Sequence, residues 1–247
     1  MNYLKFAKIY DKLIYDVDYD KIVDFINREK EKYNIKGNSL LELGCGTGNI
    51  TSKLNGYNII AMDNSDEMLS LAREKSFGRR NIRFLQGDIR DFSLNKDFDM
   101  AIAVLDVFNY ITEYDDLLKV FDLVYKHLKK DGLFIFDVNS AYKISEFIGN
   151  NIFSDEVDDT LYVWQGSFDE ETKINEYLLT FFQKVSGSSY ERFDETHRER
   201  AYTLEEIYKA LDQKGFTEIK VYDSYTYKEV SDKTLRLTFV ARKDKDE

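Results

Sequence analysis

The sequence predicts an α/β fold: a seven-stranded, mostly parallel, doubly wound sheet, plus a small inserted antiparallel β-sheet. Three observations predict it. From residue 39 to 138, short apolar runs alternate with amphipathic segments of helical period, the pattern of a parallel sheet covered on both faces. The first run ends in alternate glycines, Gly44-Cys45-Gly46-Thr47-Gly48, a turn leading into a helix. Between about 140 and 202 the texture changes to longer extended runs separated by turn residues, which reads as an antiparallel meander set into the α/β unit.

Taken in order, residues 5–33 read as helical, with Ile22, Val23, Phe25 and Ile26 at helical spacing among charged residues. Gly37-Asn38 breaks the pattern, and 39–43 is a short apolar strand. Residues 57–63 form the second strand, and 65–77 a helix with Ser65 as N-cap. Strands follow at 81–88 and 98–105. The helix at 114–130 carries Leu117, Leu118, Phe121, Val124 and Leu128 on one face. Residues 132–138 are too uniformly apolar for a strand with a wet face. The meander comprises 160–164, 174–185 and 190–202, with turns at 169–172 and 186–189. A helix at 203–214 returns to the sheet, and 216–223 pairs with a closing strand at 234–241. The charged tail from Lys243 to Glu247 is expected to fray.

Composition narrows the function. A chain of 247 residues is one large domain, or one domain with an elaboration, and needs neither disulfide nor metal to hold its core. The single cysteine, Cys45, excludes an intrachain disulfide and a Cys-cluster zinc site. Lys and Arg number 35 against 46 Asp and Glu, a net charge of −11 that disfavours a nucleic-acid partner while leaving a local basic patch open. No apolar stretch approaches the ~20 residues of a membrane span, and charges interrupt the N-terminus where an export signal would be apolar. The expected location is cytoplasmic. Proline is absent altogether, so any motif that requires it is absent too.

The glycine turn carries the chemistry. Glycines let backbone approach a ligand with no Cβ in the way, and the following helix start offers free N–H groups. Asp63 lies 19 residues after Gly44, at the end of the second strand, where doubly wound folds place a carboxylate on ribose hydroxyls. Asp88 closes the third strand, placed to meet an adenine edge. A lone glycine turn or strand-end Asp is ordinarily just a turn or a cap; the ordered set points to a nucleoside site. The dinucleotide fingerprint GxGxxG has its third glycine one residue later than here, which disfavours an NAD enzyme.

The stretch Leu41-Glu42-Leu43-Gly44-Cys45-Gly46-Thr47-Gly48 resembles the first motif of the class I S-adenosylmethionine (SAM)-dependent methyltransferases, of the small-molecule type. Met62-Asp63-Asn64-Ser65 with Met68 looks like their second motif, Gln86-Gly87-Asp88-Ile89 their third, and the segment from Leu105 to Tyr110 their fourth. Residues 128–134 look like the helix-to-strand turn that follows. The resemblance implies a Rossmann-like sheet with a reversed last strand. It implies a methyltransferase domain over 1–140 and 203–247, with 141–202 as an insert that covers the acceptor or makes a dimer contact. It also implies a residue-by-residue cofactor site. Gly44, Cys45 and Gly46 form the turn at the methionine portion, and Glu42 supports that loop or the amino group. Asp63 holds the ribose. Met62, Asn64 and Met68 pack near the adenine, which Asp88 and Ile89 contact. Leu105 lies under the methionine portion with Asp106 beside it, and Tyr10 covers the cofactor. S-adenosyl-L-homocysteine would be the product.

Methyl transfer itself asks for alignment and dryness, and for a base only where the acceptor must lose a tightly held proton. Tyr10, His197 and Arg200 are the catalytic candidates. The stretch from Glu195 to Tyr202 resembles the segment that faces the acceptor in small-molecule members, and its competing reading is a solvated, charge-paired strand face. His127, near a helix C-terminus where the dipole favours a cation, reads as structural. Asp106, Asp137 and Asn139 approach a catechol-type metal set without its adjacent Asp-Asn pair, so no metal is expected. The favoured function is methyl transfer to a small-molecule acceptor by in-line displacement. A tRNA or RNA methyltransferase is the alternative, though the absent proline removes the Asn/Asp-Pro-Pro-aromatic signature of exocyclic base methylation. A non-catalytic SAM-binding protein is the other. The aromatic insert strands would wall the acceptor or pair two subunits as a homodimer.

Overall fold

In the computed structural model, which describes residues 3–243, strand β1 (Ser39–Leu43) is buried along its whole length. Successive side chains of a strand point to opposite faces, so burial throughout requires cover on both. Leu41 and Leu43 enter one core with Phe134, Phe136 and Phe239, while Leu40 enters a second with Ile59, Ile102 and Ile135. Strands β2 (Asn58–Asp63), β3 (Ile82–Gln86), β4 (Phe98–Ala103) and β5 (Leu128–Asn139) join β1 in parallel.

The insert is a separate antiparallel meander of β6 (Ile152–Val157), β7 (Thr160–Asp169), β8 (Ile174–Ser186) and β9 (Ser189–Arg200). After it, β10 (Phe216–Asp223) and β11 (Arg236–Lys243) complete a seven-stranded sheet of order β10-β11-β5-β4-β1-β2-β3, in which β11 runs antiparallel to both neighbours. The last strand is therefore reversed, as expected. Strand β6 and the π-helical turn before it (Lys143–Ile148) were not expected; β6 is an edge strand with almost every side chain exposed, so no apolar alternation marks it.

Residues 5–33 are two helices rather than one. Helix α1 (Tyr3–Leu13) ends before the acidic stretch at 16–18, and the Asp18 side chain accepts the Lys21 N–H to start α2 (Tyr19–Lys32). Helix α3 (Asn49–Lys53) is a single short segment after the glycine turn, and α4 (Asp66–Lys75) is capped by Ser65, whose hydroxyl accepts the Met68 N–H at 3.2 Å. Helix α5 (Tyr114–His127) stops three residues earlier than the sequence suggested because Leu128 is already extended. His127 is structural: its Nε2 accepts the Leu94 N–H at 2.9 Å and its Nδ1 lies 2.8 Å from the Leu123 carbonyl oxygen. Helix α6 (Leu204–Gln213) opens with a capping box between Thr203 and Glu206.

Helices α5 and α6 cover one face of the sheet, and α2 to α4 the other. Helix α1 joins neither. Its Phe6 and Ile9 pack with Phe181 and Phe193 of the insert, so it bridges the two sheets. Lys12 pairs with Asp158 at 2.9 Å, and the Tyr15 hydroxyl donates to Asp155 at 3.3 Å. Lys243 donates to the Leu128 carbonyl, and the tail at 244–247 lies outside the described residues. Among the described residues no helix is long and apolar enough to cross a membrane.

Candidate active site

Beyond β1 the chain turns through Gly44, Gly46 and Gly48, with φ of 66°, 52° and 76°. A Cβ at Gly44 would sit 2.6 Å from a Val107 methyl, so this glycine lets two loops close on each other. A Cβ at Gly46 would meet nothing within 4 Å; its main chain is bared to a cavity. Asp63, at the end of β2, fixes that exposed backbone: Oδ2 accepts the Gly46 N–H at 2.8 Å and Oδ1 the Ser65 N–H at 3.0 Å. Burial raises the Asp63 pKa, and the amides of Ser65, Gly46 and Asn64 oppose the rise.

The cavity measures about 420 Å³ and is lined by Gly44, Gly46, Asp63, Asn64 and Met68 on one side and by Asp88, Ile89 and Leu105 on the other. Tyr10 reaches it from α1. Asp88 lies two residues past the end of β3 rather than closing it, and its carboxylate is gripped by Arg90, whose Nη2 is 2.6 Å away, which lowers its pKa. Cys45, Glu42 and Asp106 do not line this cavity. Cys45 and Glu42 line a pouch of about 50 Å³ on the other side of the glycine turn. Burial pushes the Cys45 thiol up, which leaves it inert as a nucleophile. Met62 is buried in the core.

A second chamber of about 370 Å³ adjoins the first. Phe6, Tyr10, Leu105, Tyr110 and His197 line both, so they form a common wall. The remainder comes from the end of α1 and the segment after it, from the insert, with Lys143, Tyr162, Trp164, Tyr177 and Glu199, and from the sheet and its loops, with Asp106, Asn139 and Arg236. Two buried polar atoms of this lining have no hydrogen-bond partner among the described residues, Trp164 Nε1 and His197 Nε2. Burial lowers the His197 pKa and favours the neutral ring. Arg200 does not reach either chamber. A strand presents residues 197 and 199 on one face and 200 on the other. Its guanidinium instead donates to the Thr112 carbonyl at 3.2 Å and to Glu206 at 3.1 Å, binding the insert to α6.

The floor between the chambers is held by Asp137 on β5. The two residues after Val104, Leu105 and Asp106, have φ of 65° and 58°, a left-handed pair with no glycine in it. Asp137 makes the bend tenable by accepting the Leu105 N–H at 2.7 Å and the Asp106 N–H at 2.8 Å. Arg236 lies between the Asp106 and Asp137 carboxylates, and the Tyr225 hydroxyl also donates to Asp137. The acids weighed above as a metal set thus hold a guanidinium. Over the top, Asp11 of α1 accepts Thr47 Oγ1 at 2.6 Å and Asn49 Nδ2 at 2.9 Å and pairs with Lys75, clasping α1 to the glycine turn.

The sequence reading missed Glu199, Lys143 and Arg236. A signal was available for Glu199: period two from His197 places it on the same face.

Residues 40–132 match the family profile of a methyltransferase domain. Over 250 aligned residues the chain is 35% identical to YqeM of Bacillus subtilis (strain 168), covering 99% of this chain and 98% of that protein. The crystal structure of an S-adenosylmethionine-dependent methyltransferase from Clostridium acetobutylicum ATCC 824 superposes with a TM-score of 0.88 at 40% identity, covering 98% of this chain and 99% of the other. The fold is also that of SAM-bound CalS10, an amino pentose methyltransferase from Micromonospora echinaspora, with a TM-score of 0.77 at 18% identity over 96% and 95% of the two chains. A glycine turn bared to a cavity, a strand-end carboxylate beside it and kinship along the whole chain agree: this protein belongs to the class I SAM-dependent methyltransferases.

Proposed function

We propose that the first chamber holds SAM and the second a small-molecule acceptor, with transfer across their common wall. The adjacency of the two chambers carries this reading: Tyr10, Leu105, Tyr110 and His197 border both. The residues fit the cofactor. The volume suits a ligand of that size, Gly46 leaves room where a side chain would intrude, and Asp63 is a carboxylate within that wall.

SAM supplies a methyl group on a sulfonium, a donor that needs no further activation. Asp63 accepts the ribose hydroxyls, Met68 and Ile89 flank the adenine with Asn64 and Asp88 at its edge, and the backbone of Gly44 and Gly46 meets the methionine end. Glu42 supports the turn from behind. Phe6 and Tyr10 roof both chambers and exclude water, and burial raises the Tyr10 pKa so that it stays a neutral phenol. Asp106 and His197 face the acceptor. A scaffold without catalysis would have no use for a second chamber that shares a wall with the donor site.

S-adenosylhomocysteine should raise the melting temperature by roughly 5–10 °C at a hundredfold excess over Kd, and NAD should not. Asp63→Ala removes a charge-assisted pair of hydrogen bonds and should weaken binding about 100-fold. An unchanged shift in the variant would place the donor elsewhere.

A further inference from the structure

Resting on the assignment of the second chamber to the acceptor, we propose that the acceptor is a small-molecule amine and that Glu199 takes its proton before methylation.

The charges of the chamber favour an amine over an acid. Its acidic lining residues are Asp16, Asp106 and Glu199, and its cations are Lys143 and Arg236. Arg236 is already committed at both ends, to Asp106 and to the buried Asp137. Lys143 Nζ donates to Asn139 Oδ1 at 2.8 Å and lies in the field of Glu199. Among the described residues, a carboxylate or phosphate would therefore find one lining cation outside an ion pair, Lys143, against two acids outside one, Asp16 and Glu199. An ammonium group meets those two acids and a lining that includes Trp164, Tyr162 and Tyr177, whose rings attract cations.

Glu199 is arranged for proton transfer. It is only 6% exposed. Asn139 Nδ2 at 3.2 Å and the Tyr177 hydroxyl at 3.4 Å both donate to Oε2. Oε1 accepts no hydrogen bond among the described residues, in a side chain that lines the chamber. Its field comes from several elements: Asp106 after β4, Tyr110 on the turn that follows, Asn139 on β5, Lys143 on the π-helical turn, Tyr177 on β8 and Arg236 on β11. Burial and the Asp106 charge outweigh Asn139, Lys143 and Arg236 and raise its pKa. The raised pKa makes its carboxylate a stronger base than an ordinary glutamate and narrows the gap to an alkylammonium, whose pKa is about 10. A carboxylic acid acceptor needs no base, and an alcohol holds its proton too tightly for this one.

In the step, Glu199 Oε1 takes a proton from R–NH3+. The freed nitrogen lone pair forms the N–CH3 bond as the CH3–S bond breaks, and that electron pair returns to sulfur, converting sulfonium to thioether. The product leaves as R–NH2–CH3 with one positive charge, and Glu199 gives its proton to water.

The test incubates the whole protein with methyl-tritiated SAM and a small-molecule extract separated into cation-exchanging, anion-exchanging and neutral pools. Label should appear in the cation-exchanging pool and resist alkali. Alkali-labile label, which marks a methyl ester, or an unlabelled cationic pool overturns the proposal. Glu199→Gln should cut the rate at least tenfold at pH 7, regain much of it by pH 9.5 as the amine deprotonates by itself, and keep its S-adenosylhomocysteine melting shift, which also reports folding. An equal rate from pH 6.5 to 9.5 removes Glu199 from the step. Should Glu199→Gln fail to fold, Tyr177→Phe, which frees Oε2 of one donor, should move the pH profile of the rate, and an unmoved profile has the same force. Loss of the homocysteine shift in the unmodified protein would instead overturn the donor-site assignment.

Discussion

Asp137→Ala is expected to destabilise the protein by about 3–5 kcal/mol and to abolish methyl transfer. Asp137 is fully buried on β5 and receives four donors: two backbone amides, the Tyr225 hydroxyl and the Arg236 guanidinium. Burial raises its pKa, the nearby Arg236 lowers it and Asp106 raises it again. Truncation leaves Arg236 with Asp106 alone in a space built for two acids. It also frees the Leu105 and Asp106 amides, which then have nothing to offset the roughly 1–3 kcal/mol that each left-handed residue costs. Leu105 is part of the wall between the chambers, so the same relaxation misaligns donor and acceptor. At about 2–4 °C per kcal/mol for a chain of this length, the melting temperature should fall by roughly 10 °C. Asp137→Asn keeps the shape and one acceptor oxygen but not the charge, and should fall between. A truncated variant that melts within about 2 °C of the parent would mean that the bend at Leu105 is held by something else.

The alternation of strands and helices was legible because parallel strands are covered on both sides and read as unbroken apolar runs. Leu133 to Val138 has no polar residue except Asp137, and that exception is the buried acid on which the site depends. Boundaries were less legible where the deciding interaction is a single side chain. The break between α1 and α2 turns on Asp18 capping Lys21, and the end of α5 on Leu128 pairing with Phe98. Strand β6 carries no period, because its stability comes from the β7 backbone rather than from its own burial.

The two chambers differ in the same way. The residues proposed to hold the donor fall in short local motifs, because they are turn backbone and strand ends; Gly44, Gly46, Asp63, Asn64, Met68, Asp88 and Ile89 all line the first chamber. The second chamber is assembled from Tyr10, Lys143, Trp164, Tyr177, Glu199 and Arg236, which span most of the chain. No local spacing encodes that set. It becomes visible only once the insert is folded back over the sheet, and a one-residue change of strand face separates Glu199, inside, from Arg200, outside.

Stability should fall as pH rises from about 5 to 8, and Glu42→Gln should flatten the fall. Glu42 shares its sheet face with Leu40, is 1% exposed, and has no hydrogen-bond partner at Oε2. Burial raises its pKa to about 8, with Thr51 opposing and Asp63 reinforcing. A carboxyl whose pKa is higher folded than unfolded adds stability that is complete below the unfolded value of about 4.5 and is lost as pH climbs to the folded value. Over that window the loss from Glu42 approaches about 4 kcal/mol, and Glu199, whose pKa burial also raises, adds to it. Asp11 and Asp99 have lowered pKa values, so their contribution is lost only in acid, below this window. His197 works the other way, since burial lowers its pKa and its contribution grows as pH rises toward 6.5; its smaller shift blunts the slope without reversing it. Melts at pH 5, 6.5, 8 and 9 separate these terms. The Gln variant should match the parent at pH 5 and exceed it at pH 8 and 9, because only the parent must then keep a charge in an apolar layer. Parallel curves for the two proteins would show that Glu42 is already ionised when folded, and that the layer behind the glycine turn is wetter than its burial implies.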